Sequence, residues 1–139
     1  MKTYNVYNDP GHGWMKVNRK ELESLGIADK ITGYSYMRGE SVYLEEDCDM
    51  QIFLTALRLK FGEFNINDIC KDHYSDKQSK IRNYDNYEFH SQEIKDYKEK
   101  MKDIMLNLKD NWSKKAIKEI KNANVSKLNY WQIFYNISI

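Results

Sequence analysis

The stretch Asn8-Asp9-Pro10-Gly11-His12-Gly13-Trp14 constrains the fold most, because it sets the only proline and two of the six glycines between two segments of period two. Upstream, Lys2 to Tyr7 alternates through Tyr4 and Val6, and downstream Trp14 to Val17 resumes the alternation, so two strands joined by a tight reversal are expected. Proline holds φ near about −65°, and glycine takes positive φ at little cost. Pro10-Gly11 therefore reads as the centre of a type II turn, with Gly13 permitting a second reversal. The expected product is a rigid Ω-like tip that orients His12 and Trp14.

The periodicity then switches repeatedly. Asn18 is placed to cap a short helix from Arg19 to Leu25, which Gly26 closes, with Leu22 and Leu25 facing inward. Tyr34-Ser35-Tyr36-Met37 and the run from Glu40 to Glu45 flank Arg38-Gly39 in the pattern of a hairpin. Asp47 or Asp49 then heads a helix whose apolar positions Ile52, Phe53, Ala56, Leu57 and Leu59 keep the 3.6 period until Gly62. Phe64, Ile66 and Ile69 suggest another short strand, and the polar, tyrosine-rich residues 72–87 a long ordered loop or edge strand. The order ββαββα predicts an α+β module over residues 1–89, with a small mixed or antiparallel sheet and two helices.

Residues 90–139 read differently. A long helix from Ser91 carries Ile94, Tyr97, Met101, Ile104, Met105 and Leu108, and the register slips near Asn111-Trp112-Ser113, which predicts a kink or two successive helices. The Met101, Ile104, Met105 and Leu108 stripe suits a core, or the seam of a dimer. The tail from Tyr130 to Ile139 alternates as a strand through Trp131, Ile133, Tyr135, Ile137 and Ile139, while Leu128, Trp131 and Tyr135 also fit a helix.

Hydrophobic residues at 41% and aromatics at 14% give a chain of 139 residues enough to bury a core. Its net charge of +1 hides an asymmetry: residues 1–72 carry 9 basic against 12 acidic groups, residues 73–139 carry 13 against 9. The two parts are expected to face different partners. Cys48 and Cys70 form no CxxC pair, and neither a signal peptide nor a bilayer-length apolar run is evident. The expected setting is the reducing cytoplasm.

Asp9 and His12 could serve as an acid/base or metal pair, but no nucleophile or third ligand of matching spacing lies nearby. The simpler reading is an Asx-turn at Asp9, with His12 bonded to a backbone carbonyl. Glu45-Glu46-Asp47-Cys48-Asp49 lacks the spacing of a calcium loop, and consecutive residues at a strand-to-helix junction point in different directions. Capping of the following helix is expected there, each charge contributing roughly 0.3–1 kcal/mol. Lys77, Lys80 and Arg82, with Tyr84 and Tyr87, have the composition that follows phosphates and stacks bases, or that protects an edge strand. Lys114, Lys115, Lys118 and Lys121 form a basic stripe, a solvated face or a contact for an acidic partner; Trp112 in its midst favours an interface.

Asn8 to Trp14, Gly26-Ile27-Ala28-Asp29-Lys30-Ile31, Tyr34-Ser35-Tyr36, the run from Val42 to Asp49 and Ser79-Lys80-Ile81-Arg82, in that order, resemble a small module of phage, plasmid and other mobile-element proteins. The resemblance covers roughly residues 1–87 and carries neither a reaction nor a ligand. In size and layout the chain is similar to anti-CRISPR proteins, which implies an inhibitor of a host nucleoprotein, foremost a Cas nuclease. The readings from the residues and from the resemblance combine into one expectation: a non-enzymatic protein without metal or cofactor, monomer or homodimer, not membrane-bound. Asp9, His12 and Trp14 are expected to make a loop contact, and the basic and aromatic residues from Lys77 to Lys121 to meet the effector or its RNA or DNA. The alternatives are a nucleic-acid-binding accessory protein and, more distantly, a small metal-dependent hydrolase or nuclease.

Overall fold

The computed structural model describes residues 2–107 and 111–120, and in this span the chain is α+β. The chain divides between Phe89 and His90 into two compact units. The first opens with the hairpin β1 (Tyr4–Asn8) and β2 (Gly13–Asn18), in which Tyr7 faces Trp14 and Asn8 faces Gly13. Helix α1 (Arg19–Ser24) follows at once, since the Asn18 side chain accepts from the Lys20 N–H and Gly26, at φ 70°, lets the chain leave. A 3₁₀ turn at Ala28–Lys30 leads to β3 (Tyr36–Arg38) and β4 (Ser41–Glu45). Arg38 pairs with Ser41, so the reversal is centred on Gly39-Glu40, one residue beyond the expected place, because Gly39 takes the positive φ.

Helix α2 (Asp49–Phe61) buries Met50, Phe53, Leu54 and Leu57. Full burial of each large side chain contributes roughly 1.5–3 kcal/mol. Leu59, expected inside, is 85% exposed because the helix turns it away from that stripe. The strand expected at Phe64 to Ile69 is instead a single helical turn, α3 (Ile66–Ile69), started by the Asn65 side chain accepting from the Asn67 N–H. Strand β5 (Cys70–Tyr74) then runs parallel to β1, and after a 3₁₀ turn at Lys80–Asn83 a two-residue β6 (Asp85–Asn86) pairs with β3. The mixed sheet has the order β5-β1-β2-β4-β3-β6.

Strand alternation gives this sheet two unlike faces. Tyr4, Val6, Met15, Val17, Met37, Val42 and Leu44 pack with Leu22 of α1 and with α2. On the other face Trp14 and Tyr43 form a separate cluster with Ile81, joined by the half-buried Tyr7, Tyr36 and Tyr84.

In the second unit α4 (Gln92–Leu106), capped by the Ser91 hydroxyl, packs on α5 (Asn111–Ile120). Met101, Met105, Ala116 and Ile120 are fully buried between them, so the methionine stripe has its partner within the chain. The break between these helices precedes Asn111 rather than falling after it. The tail from Tyr130 to Ile139 lies outside the described residues. No helix among the described residues is long and apolar enough to cross a membrane.

Candidate functional site

The tip between β1 and β2 is organised by one carboxylate. Asp9 Oδ1 accepts from the N–H groups of Gly11 (3.0 Å) and His12 (2.9 Å) and from Arg82 Nη2 (2.9 Å). Its Oδ2 accepts from the Ser79 N–H (3.0 Å) and from Arg82 Nε (2.8 Å). The paired Arg82 guanidinium, joined by the three backbone donors, holds the Asp9 carboxyl far below the usual carboxylate range. The same carboxylate raises the Arg82 guanidinium in turn.

The expected Asx-turn is present, but the type II turn is not: positive φ occurs at Gly26, Gly39 and Gly62, and at neither Gly11 nor Gly13. The glycines instead leave room at the tip for neighbouring side chains. A Cβ on Gly11 would lie 2.9 Å from Arg82 Nη2, and one on Gly13 would lie 2.5 Å from Asn8 Oδ1 and 2.6 Å from Glu46 Oε2. His12 uses its carbonyl, as acceptor for the Asp9 N–H (2.9 Å), while its ring Nδ1 sits 3.4 Å from Glu45 Oε1.

Internal contacts take up two of the three expected loop residues, Asp9 and Trp14, and three of the expected partner residues, Arg82, Tyr84 and Tyr87. Asp9 and Trp14 are 6% and 2% exposed, so of the loop trio only His12 presents its side chain outward. Arg82 is fixed on Asp9 and lies over the Trp14 ring, 5.3 Å from its centroid. Ser79 caps the turn through its hydroxyl, and Ile81 plugs the cluster of Trp14 and Tyr43. Tyr84 packs on Tyr43, with ring centroids 5.2 Å apart, and under Arg38. Tyr87 is buried, donating its hydroxyl to the Ala28 carbonyl beneath the Arg19 guanidinium. The composition of this segment thus reflects closure of the module. Lys77 and Lys80 remain exposed, as do Lys115 and Lys118 on α5. Lys121 and the side chains of Trp112 and Lys114 lie outside the described residues.

A second lock joins the acidic run to the first half of the module. Asp49 does not cap α2; its Oδ2 accepts from the Thr32 N–H (3.1 Å), the Thr32 hydroxyl (2.8 Å) and the Ser35 hydroxyl (2.5 Å). Ser35 Oγ accepts from the Glu45 N–H, and Glu45 Oε2 accepts from the Asp47 N–H. Glu45, Glu46 and Asp47, expected to point in different directions, converge. The hairpin tip brings His12 beside the end of β4, where ligand atoms of His12, Glu45, Glu46 and Asp47 all lie within 4.8 Å of one another.

Next to this cluster a cavity of about 380 Å³ is lined by His12, Trp14, Tyr34, Tyr36, Glu45, Cys48 and Arg82. The Trp14 indole N–H is buried without a hydrogen-bond partner among the described residues. A larger cavity, about 630 Å³, lies on the opposite face among Tyr4, Leu25, Leu57 and Phe61, away from the motif residues.

The aromatic face extends from the smaller cavity across the sheet. Trp14 meets Tyr36 (6.2 Å), Tyr43 meets Tyr7 (6.4 Å), and Tyr7 stacks on His73 at 5.1 Å and 18°. Burial, with Tyr84 and Tyr7 close by, pushes the Tyr43 phenol up to about 12. Sequence reasoning passed over Tyr7, Tyr36, Tyr43 and His73. The available signal was that β1, β2 and β4 carry aromatic residues at the parity opposite to Val6, Met15 and Val42. No family model, curated protein or solved structure matches the chain.

Proposed function

We propose that the protein is a mobile-element inhibitor of a host defence nucleoprotein, foremost a CRISPR nuclease, and that it acts by binding and obstruction. One observation carries this reading: the residues that bear the resemblance hold one another. Asp9 takes Ser79 and Arg82, Asp49 takes Thr32 and Ser35, and Ile81 fills the space between Trp14 and Tyr43. Side chains engaged in this way define a scaffold, which leaves recognition to its surfaces. Exposed Lys77, Lys80, Lys115 and Lys118 offer cationic contacts to a guide or to a groove built for nucleic acid.

The test is target cleavage by purified CRISPR effectors in the presence of the full chain. Loss of cleavage at stoichiometric protein, with a complex that survives gel filtration, is the expected result. Unchanged cleavage across effector types at tenfold excess would overturn the reading. Turnover of a phosphodiester or ester that vanishes with EDTA or in His12→Ala would move the function to hydrolysis, through the cluster of His12, Glu45, Glu46 and Asp47. A nucleic-acid-binding accessory role is the second reading, favoured by the aromatic and cationic face of the sheet.

A further inference from the structure

Lys16 faces Tyr43, Asn5 faces Lys71, Tyr7 faces His73 and Tyr36 faces Tyr43, so the strand register places all of them on the sheet face opposite α2. Arg38 shares it, two residues beyond Tyr36. His73, Lys71 and Arg38 are exposed, and Tyr7, Asn5 and Lys16 partly so. Burial of the core therefore does not account for them. The His73 ring is held by Asn5, Nε2 to Oδ1 at 3.0 Å, and lies nearly parallel to Tyr7.

We infer that this face binds single-stranded nucleic acid, with Tyr7 and His73 as the stacking platform and Lys16, Arg38 and Lys71 as the phosphate contacts. Unpaired bases offer π-faces that flat side chains can stack on, whereas a duplex keeps its bases covered. The platform is preorganised, because the tilted Tyr43 ring and the Asn5 amide fix the two outer rings before any ligand arrives. Its charge has the required sign. Among the described strand residues on this face the only acid is Glu45, whose carboxylate is occupied by His12 and the Asp47 N–H. From His73 on β5 to Tyr36 on β3 is four strand spacings, about 19 Å, and between them Ile81 and Tyr84 cover Trp14 and Tyr43, so a strand of a few nucleotides would pass from the platform over that cover to Arg38.

This inference rests on the second reading above and names its ligand class and contact residues, and it can fail without the inhibitor reading failing. An inhibitor that seizes a protein surface needs no affinity for an oligonucleotide, and a chain that binds one need not touch an effector.

The test is fluorescence anisotropy of labelled rU12 and dT12 with the full-length chain, the two arms separating RNA from DNA. Saturable binding of either strand is expected, with three phosphate contacts weakening it about 20-fold between 50 and 200 mM salt. His73→Ala and Tyr7→Ala should each weaken binding about tenfold, and Tyr7→Phe should retain it. His73 and Lys71 are exposed, so His73→Ala and Lys71→Ala should leave the melting temperature unchanged and still weaken binding. Absence of binding by both strands at 50 mM salt would overturn the inference, as would equal affinity for a duplex of the same length or indifference to His73→Ala and Lys71→Ala. Binding of poly-glutamate in place of both oligonucleotides would also overturn it, and would assign the face to an acidic protein.

Discussion

The two faces of the sheet are stabilised by different physics. Against α1 and α2 lie aliphatic chains, methionines and Phe53, whose contribution scales with the area removed from water and tolerates any side chain of similar shape. Against the 3₁₀ turn at Lys80–Asn83 lie tyrosines, Trp14 and the Asp9–Arg82 pair, whose contribution depends on direction and charge. The first face carries the largest buried apolar cluster among the described residues. The second fixes a particular surface through directional contacts.

This contrast can be broken most strongly from the aliphatic side. Phe53→Ala, at a fully buried position, should cost about 3–5 kcal/mol in urea unfolding, with Phe53→Leu recovering most of it. On the other face Asp9→Asn should lower the melting temperature by on the order of 10 °C, because Arg82 keeps its charge and loses its partner. Leu or Ala at position 9 should do no better. Shape alone cannot restore that face. If Asp9→Leu melted with the wild type, the lock would be dispensable and the contrast wrong.

Acid should separate the faces more gently. The folded carboxyl of Asp9 lies below its unfolded value, so its contribution is complete above the ordinary carboxylate range and is lost as the pH falls through that range toward the folded value. Unfolding midpoints from pH 7 to pH 3 should therefore decline more steeply for the wild type than for Asp9→Asn. Parallel declines would mean that other acids set the slope. Tyr84→Ala, which removes a half-buried ring from Tyr43 and Arg38, should cost about 1–2 kcal/mol. The smallest effect is expected at exposed Lys77 and Lys80, where alanine should shift stability by less than about 0.5 kcal/mol while reducing capture of the effector.

Local signals in the sequence were sufficient for the elements bounded by their own residues. Asn18 and Gly26 delimit α1, Gly39 turns the second hairpin, and the stripe through Phe53 and Leu57 places α2 on the sheet. The errors arose where a distant residue decides. Phe64 to Ile69 has a strand-like composition, but the Asn65 side chain closes a helical turn first. Ser79 and Arg82 look like part of an open edge segment until Asp9, seventy residues upstream of Ser79, claims the Ser79 N–H and the arginine. The gathering of His12 with Glu45, Glu46 and Asp47 was hidden for the same reason, because it depends on the pairing of Trp14 with Glu45 across β2 and β4. Alternation revealed one buried face, and the partly buried second face of the same strands went unread.

The Asp9–Arg82 pair also gives the chain a timetable. The hairpin of β1 and β2 can close as soon as Asn18 has been made, yet its acid stays a hydrated anion until Ser79 and Arg82 leave the ribosome. Strand β1 waits likewise for β5, its parallel neighbour. The tip that appears first in synthesis is thus completed only once Arg82 has been made, when the last strand and Tyr87 of the first unit have still to be translated.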